Sequence, residues 1–177
     1  EFAADLLLVG IGVIPNAELA QASGLEVANG IVVDACSRTS DPAIVAAGDC
    51  TARRLPDGRL RRLESVQNAL EQAKSAAVAL LGRERPFTAT PWFWSDQYDI
   101  KLQMAGLNAG FDQVVTRGDP ATHKFSCYYY RGGELIAIDS INQSPDHLTG
   151  RKLMDKGISP TPQQAADPAC DLAALLA

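Results

Sequence analysis

The sequence predicts an α/β segment followed by a small α+β domain, and a contrast between its two halves carries that prediction. In the first half, short apolar runs at residues 5–9 and 43–47 each end in glycine, and an amphipathic helix follows over residues 65–81. In the second half, alternating apolar and polar residues flank a Gly-Gly turn at residues 132–133, as in an antiparallel hairpin. The composition shifts at residues 83–86, where we expect the boundary.

Composition narrows the class of protein. The 177 residues are 46% hydrophobic and 21% charged, as in an ordinary globular protein, and the net charge of −5 excludes a broadly basic nucleic-acid surface. No apolar run is long enough to span a bilayer, and the chain opens without a signal-peptide pattern. The four cysteines form neither a CxxC pair nor a cluster with the two histidines, so we expect a cytoplasmic protein with no metal site.

The first apolar run, residues 5–9, is predicted to be a buried strand that ends in a tight turn at Gly10 and Gly12. The turn lacks the third glycine of a GxGxxG motif, so as a phosphate cradle it is a weak signal. Because almost nothing precedes this core-like strand, we expect the chain to be the C-terminal fragment of a longer protein. A short helix over residues 17–24 and a strand over residues 30–34 should follow.

The run TSDPAIVAAGD, residues 39–49, predicts a ligand site. After a turn at Asp41-Pro42, residues 43–47 are expected to form a short buried parallel strand. Gly48 would then allow a ligand to approach the backbone closely, because it has no Cβ. Asp49 would place a carboxylate at the carboxyl end of that strand, where open α/β sheets bind ligands, and it could accept hydrogen bonds from sugar-like hydroxyls.

The run RLESVQNALEQA predicts a helix that begins at the cap residue Ser65 and ends at Gly82. A helix N-terminus carries about half a positive charge and free N–H donors. The N–H near Val66 would therefore suit a planar ring that becomes anionic on reduction, such as a flavin. An ordinary amphipathic helix with a serine cap is the alternative.

The second half is expected to form a small antiparallel sheet with helices on one side. Helix starts are indicated at Ser144-Pro145, with a helix through residue 156, and at Thr161-Pro162. The predicted strands cover residues 100–104, 114–116, 125–130 and 135–141, after a segment, PWFWSDQY, that contains both tryptophans.

Four motifs occur here in order: VGIGVIPN, TSDPAIVAAGD, RLESVQNALEQA and PWFWSDQY. Together they resemble the C-terminal portion of the FAD-dependent ferredoxin reductases of bacterial oxygenase systems. The resemblance implies the C-terminal remnant of FAD- and NAD-binding two-dinucleotide-fold domains, followed by a reductase C-terminal domain. It also implies an oxidoreductase that moves electrons from NAD(P)H through FAD to a [2Fe–2S] ferredoxin, which feeds a Rieske dioxygenase or a cytochrome P450.

The resemblance assigns roles by position. Asp49 would hold the ribityl chain of FAD beside Gly48, and the Val66 amide, next to Ser65, would donate to the isoalloxazine. Glu64 would hold the nicotinamide carboxamide, and Gly10 and Gly12 would lie on the side facing the nicotinamide. Trp94 would lie at the flavin edge or, alternatively, in the core of the small domain. No catalytic acid or base and no metal ligand is expected, because the cofactors supply the chemistry.

The resemblance also implies three parts. Residues 1–34 would be the tail of the NAD domain and a return strand, residues 35–85 the last part of the FAD domain, and residues 91–177 the reductase C-terminal domain. Neither GxGxxG motif of the family is in the sequence. We therefore expect half of a flavin site and no reductase activity from this polypeptide alone.

Other readings stay open at this point. The arginines of residues 53–62 predict a basic rim that steers an acidic ferredoxin, or simply a solvated hairpin. The chain also fits another FAD-dependent pyridine-nucleotide reductase, such as a rubredoxin reductase, a nitrite reductase component or a protein like apoptosis-inducing factor. A third reading is a non-catalytic module for dimerisation or partner binding in residues 91–177. Neither membrane nor nucleic acid is an expected partner, and a homo-oligomer stays open.

Overall fold

The computed structural model describes residues 2–55 and 57–177 and contains two β-sheets. The bounds of the first half are α1 Glu18–Ala22, β1 Val27–Ala28, β2 Gly30–Val33, β3 Thr51–Arg54, β4 Leu60–Arg61 and α2 Val66–Leu80. Those of the second half are β5 Trp92–Gln97, β6 Ile100–Gly106, β7 Gln113–Asp119, β8 Lys124–Arg131, β9 Glu134–Ile141, α3 Ser144–Asp155 and α4 Pro162–Ala166, with 3-10 turns at Pro120–Thr122 and Leu172–Leu176.

The first sheet has the strand order β1-β2-β3-β4, and its central pair is parallel. Ile31 is opposite Thr51 in that pair, and β1 and β4 add antiparallel edges. The expected strand over residues 30–34 and the polar hairpin around the arginines are confirmed, except that Pro56 of its turn lies outside the described residues. The connection between the two parallel strands carries the run of residues 39–49.

The strand expected over residues 43–47 is wrong. The only pairing in this stretch of the described chain is a single antiparallel bridge between Val45 and Arg38. The preceding turn keeps its hydrogen bonds local: Asp41 Oδ1 accepts from the Ala43 N–H at 2.9 Å, and the Thr39 N–H donates to Ile44 O at 3.0 Å. Backbone groups used in a local turn cannot form a ladder, so Asp49 lies in a turn before β3 and not after a strand of its own.

The strand expected over residues 5–9 is also wrong. Leu6, Leu7 and Leu8 are 87%, 81% and 92% exposed, and the backbone there is irregular. A strand is stable only when a neighbouring strand satisfies its N–H and C=O groups. In the part of the chain that the structure describes, neither sheet pairs with this segment.

The helices agree closely with the sequence pattern. The Ser65 side chain caps α2 by accepting from the Asn68 N–H, and Gly82 follows the helix with φ of +70°. The first helix, α1, lies within the expected residues 17–24. At α3 the cap is Gln143, not the expected Ser144, because Ser144 is already helical and its hydroxyl bonds Gln103 Oε1 at 2.5 Å.

The second sheet has the order β5-β6-β9-β8-β7 and is antiparallel throughout, as expected. Its core is an apolar cluster formed with α3, α4 and the final 3-10 turn, and includes Tyr128, Ile138 and Leu153, which are fully buried. Thr161 caps α4 in a capping box with Gln164, as the Thr-Pro signal predicts. Across residues 2–55 and 57–177, no helix is both long and apolar enough to cross a membrane.

The segment between the two sheets packs against both. The Phe87 N–H donates to Ala35 O at 2.9 Å, and the Arg53 guanidinium stacks over the Phe87 ring at 4.8 Å. At the other end, the Thr90 N–H donates to Asp155 Oδ1 at 3.0 Å. These contacts fix the segment to the first sheet at Phe87 and to the end of α3 at Thr90.

Candidate functional site

A cavity of about 430 Å³ joins the turn before β3 to the start of α2. Its lining residues are Asp49, Ser65, Val66, Ala69 and Leu70. Three of the residues predicted from two separate motifs therefore line one cavity. Val66 and Leu70 are 58% and 57% exposed, so one wall is an open apolar surface beside a carboxylate.

The start of α2 presents free N–H donors to this cavity. Ser65 Oγ accepts from the Asn68 N–H at 3.1 Å, and Ser65 O accepts from the Ala69 N–H at 3.0 Å. Among the hydrogen bonds of the described residues, the N–H groups of Val66 and Gln67 have no acceptor. Together with the positive end of the helix dipole, they can bind an electron-rich or anionic group.

The turn that carries Asp49 is fixed by hydrogen bonds to Gln72 and Thr51. Gly48 is buried with φ of +87°, a left-handed conformation that favours glycine, and a Cβ added to it would lie at an ordinary contact distance of 3.5 Å from the Ala69 Cβ. The Gly48 N–H donates to Gln72 Oε1 at 2.7 Å, and the Thr51 hydroxyl donates to Gly48 O at 2.8 Å. The Asp49 side chain, on the other side of the turn, remains exposed.

Sequence reasoning missed two residues of this region, Asn68 and Gln72. They are 2% and 3% exposed, and the Asn68 amide donates to Gln72 Oε1 at 3.2 Å. Two amide side chains four residues apart on the inner face of an amphipathic helix are a signal that could have indicated them, because buried polar groups require partners.

A second cavity, of about 980 Å³, lies between the arginine hairpin and the second sheet, and Ser65 lines both cavities. Glu64 lines the second one and forms an ion pair with Arg62. Arg62 Nη2 also donates to Val13 O at 3.4 Å, so this guanidinium links Glu64 to the exposed N-terminal segment. Gly10 and Gly12 lie in that segment, and nothing approaches within 4 Å of where their Cβ atoms would be.

Trp94 lines neither cavity. It lies on β5, half-buried, with its ring 5.4 Å from that of Trp92. Trp92 and Phe93 are the aromatic residues that reach the larger cavity, and Arg151 of α3 stacks over Trp92 at 5.1 Å. The role of Trp94 at a flavin edge stays a prediction.

The hairpin arginines are largely paired. Arg54 forms an ion pair with Glu26 at 2.5 Å, and Arg59 with Asp57 at 2.7 Å. The Arg53 guanidinium donates to Phe87 O at 2.6 Å, and burial, together with the nearby Arg61 charge, lowers its pKa. Acids thus pair with Arg54, Arg59 and Arg62, whereas Arg53 bonds a carbonyl oxygen. The role of the hairpin as a basic rim for a ferredoxin stays a prediction.

Asp139, which lines the larger cavity, has a shifted pKa. Burial raises the pKa of the Asp139 carboxyl above its ordinary value, although the neighbouring Tyr129 hydroxyl opposes the rise. Burial also raises the pKa of Tyr129 to about 12. The described residues contain no group of three or more His, Cys, Asp or Glu side chains that could hold a metal ion.

Two protein families match this chain, one in each half. Residues 1–73 match the family described as pyridine nucleotide-disulphide oxidoreductase, and residues 92–176 match the family described as reductase C-terminal. Rhodocoxin reductase from Rhodococcus erythropolis is 49% identical over 96% of this chain. The crystal structure of the ferredoxin reductase for the CYP199A2 system from Rhodopseudomonas palustris superposes over 98% of it with a TM-score of 0.93 and 51% identity.

Nearly the whole chain is similar to part of known ferredoxin reductases. A second ferredoxin reductase structure, that of putidaredoxin reductase in covalent complex with putidaredoxin, has a TM-score of 0.90 and 41% identity over 98% of the chain. The match is to part of each reductase: the chain spans 40% of the length of rhodocoxin reductase, and 43% and 42% of the two crystallised reductases. The fold class expected from the sequence, remnants of two-dinucleotide-fold domains followed by a reductase C-terminal domain, is confirmed.

Proposed function

We propose that this chain forms the C-terminal part of an NAD(P)H-dependent, FAD-containing ferredoxin reductase and supplies one side of its flavin site. The observation that carries the proposal is the 430 Å³ cavity, where the carboxylate of Asp49 and the N-terminus of α2 come together. Close ferredoxin reductase relatives match nearly the whole chain, which supports the same reading.

The residues of the cavity fit FAD in their chemistry. Asp49 offers an exposed carboxylate as acceptor for the ribityl hydroxyls, and we assign the buried Gly48 to the turn that holds this carboxylate. The N–H groups of Val66 and Gln67 would donate to the pyrimidine edge of the isoalloxazine, and Leu70 gives an apolar surface for the ring. When bound, FAD would accept a hydride from the nicotinamide and release single electrons.

We infer that the nicotinamide lies on the side of Glu64. Glu64 directly precedes the cap residue Ser65, so a group bound by its carboxylate would lie beside the flavin. Its ion pair with Arg62 fixes the carboxylate, and the same guanidinium contacts Val13, next to Gly12. We assign Gly10 and Gly12 to the wall on this side of the site.

We propose a [2Fe–2S] ferredoxin as the electron acceptor, feeding a dioxygenase or a cytochrome P450. Support comes from two relatives, a reductase solved in covalent complex with putidaredoxin and one named for a CYP199A2 system. We place the protein in the cytoplasm, which suits its four free thiols. The extents of the three parts, residues 1–34, 35–85 and 91–177, remain proposals.

The test is the affinity of the full-length reductase for FAD. Asp49→Ala removes the proposed acceptor, and hydrogen bonds to a charged group are worth about 1.5–3 kcal/mol. We expect the dissociation constant of FAD, measured by fluorescence of the released flavin, to rise by about ten- to a hundredfold. Asp57→Ala, which removes an exposed acid of the hairpin, is the matched control and should leave FAD binding unchanged.

A full-length protein that binds no FAD, or an Asp49→Ala variant that binds it as tightly as the control, would contradict the proposal. The polypeptide of residues 1–177 is the further control. Mixed with FAD, NADH and a [2Fe–2S] ferredoxin, it should reduce no ferredoxin, because it supplies only one side of the flavin site.

A further inference from the structure

A single buried oxygen atom connects the parts of the proposed flavin site. Gln72 Oε1 accepts hydrogen bonds from the Gly48 N–H at 2.7 Å and the Asn68 amide at 3.2 Å. The Thr51 hydroxyl lies 3.0 Å from the same oxygen, but its one hydrogen has Gly48 O as a nearer acceptor at 2.8 Å. Gln72, Thr51 and Asn68 are all at most 3% exposed. The Gly48 N–H and one hydrogen of the Asn68 amide therefore depend on the Gln72 oxygen in a place where water is largely excluded.

The two donors that depend on this oxygen come from two elements that are separated in the sequence. Gly48 belongs to the turn that carries Asp49, and Thr51 begins β3. Asn68 is in the first turn of α2, where its N–H bonds the Ser65 side chain and its amide donates to Leu63 O at 3.0 Å. The oxygen thus fixes the turn of Asp49 against the same helix turn that presents the Val66 N–H.

The contact to Gly48 is specific in direction. Gly48 directly precedes Asp49, so its peptide plane sets the direction in which the Asp49 side chain leaves the backbone. A left-handed φ of +87° occurs mainly in turns, and the hydrogen bond from the Gly48 N–H holds this turn in one conformation. A shift of about 1 Å at such a site is enough to weaken a positioned contact strongly.

We propose that Gln72 is a positioning residue for FAD: it acts through Gly48 and Asn68 to hold the Asp49 carboxylate and the α2 N-terminus at the spacing the cofactor requires. This inference rests on the proposed function, and it adds a residue that touches neither the cavity nor the cofactor.

The experiment compares three variants. Gln72→Met keeps the length and the burial of the side chain but removes the acceptor, which leaves the Gly48 N–H and one hydrogen of the Asn68 amide unsatisfied. Gln72→Glu keeps an oxygen acceptor whether its carboxyl is ionised or neutral. Ser75→Ala is the matched control: it removes another buried hydrogen bond of α2, from Ser75 Oγ to Arg85 O at 2.5 Å, one turn away from the site.

Two measurements are made on each variant. The first, which needs no cofactor, is the exchange rate of the Gly48 amide hydrogen in the polypeptide of residues 1–177. We expect Gln72→Met to accelerate it by about tenfold or more, and the other two variants to change it only as far as their global stability changes. The second is the dissociation constant of FAD in the full-length reductase, expected to rise about tenfold in Gln72→Met and to stay near the wild-type value in Gln72→Glu and Ser75→Ala.

The outcomes separate this inference from the proposed function. Fast Gly48 exchange and weak FAD binding in Gln72→Met, both restored in Gln72→Glu, support it. The inference about Gln72 is overturned if Gln72→Met behaves like Ser75→Ala in both measurements. It is also overturned if Gln72→Glu binds FAD as weakly as Gln72→Met does. A wild-type reductase that binds no FAD contradicts the proposed function instead, and leaves the exchange measurement to decide whether Gln72 holds the turn.

Discussion

At the scale of single residues, His147 is an ionisable side chain that the fold holds almost entirely out of water. It is 1% exposed on the inner side of α3, its ring lies 5.9 Å from that of Trp92, and its Nδ1 atom has no hydrogen-bond partner among the described residues. Burial lowers the pKa of His147, and the positive charge of Arg151 lowers it further. The folded protein therefore holds a neutral imidazole.

The low pKa of His147 predicts a loss of stability in mild acid. As the pH falls below the ordinary histidine value of about 6.5, the unfolded chain takes up a proton that the folded chain refuses. The stability that the neutral His147 imidazole contributes is fully present above that value and is lost as the pH falls toward the pKa of the folded state. We expect the free energy of unfolding by urea to fall less between pH 7 and pH 5 in His147→Gln than in the wild type.

The other histidine of the chain provides the control for this prediction. His123 is exposed in a turn between β7 and β8, so His123→Gln should keep the wild-type dependence on pH. Equal slopes for the wild type and both variants would show that His147 does not titrate differently on folding.

Single-residue roles were predictable where a local pattern carries them. Ser65 and Asp49 stand at a helix start and in a glycine turn, and the structure brings both to one cavity. The helix pattern could have indicated that Gln72 is buried, but not its partner, because Gly48 lies in a turn 24 residues away. The ion pair of Arg54 was not predictable either, since Glu26 reaches it only through the fold.

At the scale of elements, β6 and β9 approach each other closely at Gly106. This glycine has φ of +76°, and a Cβ there would overlap the backbone of Ile136 and lie 2.8 Å from the Ala137 Cα. Backbone atoms of a central strand cannot move aside as the end of a flexible side chain can. The pairing of these two strands therefore requires glycine at this position.

Two glycine substitutions separate close approach from backbone strain. Gly106→Ala should lower the free energy of unfolding by about 3 kcal/mol or more, the combined effect of a left-handed φ and of overpacking. Gly133→Ala has a similar φ of +83° but nothing within 4 Å of the added Cβ, so a loss of about 1 kcal/mol is expected. Urea denaturation of both variants measures the difference, and equal losses would exclude the close approach as its cause.

The elements that sequence reasoning placed correctly are those with local hydrogen bonds. Helix α2 satisfies its own backbone, so its cap at Ser65 and its end before Gly82 could be predicted. Four of the five strands of the second sheet were also found, because a hairpin turn connects β8 to β9 and antiparallel alternation is visible in the sequence, whereas β5 was not predicted as a strand. Residues 5–9 and 43–47 look like strands by composition, but a strand depends on partners that composition does not specify.

At the scale of the whole molecule, the second sheet has a core of its own. Its apolar cluster runs from Ala105 to Leu172 and uses no side chain of the first sheet. The Arg117 guanidinium adds a polar tie by donating to Cys170 O at 3.0 Å and Pro168 O at 3.2 Å while it pairs with Asp146 at 3.4 Å. The C-terminal segment is thereby held against β7 within the same half of the chain.

We predict from this separate core that residues 88–177 fold without the rest of the chain. The shortened polypeptide should give one cooperative thermal transition, followed by far-ultraviolet circular dichroism, and dispersed amide signals in NMR spectra. The polypeptide of residues 1–177 is the reference. A shortened chain without a cooperative transition would mean that contacts with α2 and Phe87 are required for the second sheet to fold.

The strand order β5-β6-β9-β8-β7 also has a consequence for the speed of folding. The hairpin of β8 and β9 has a turn of only two residues, Gly132 and Gly133, so the central strand β9 can pair with β8 early in folding. Pairing of β6 with β9 must then close a much longer loop, since Gly106 meets Ala137, and loop-closure entropy rises with loop length. We therefore expect the folding nucleus to form at β8–β9 and the barrier to folding to lie in the pairing of β6 with β9, where Gly106 stands.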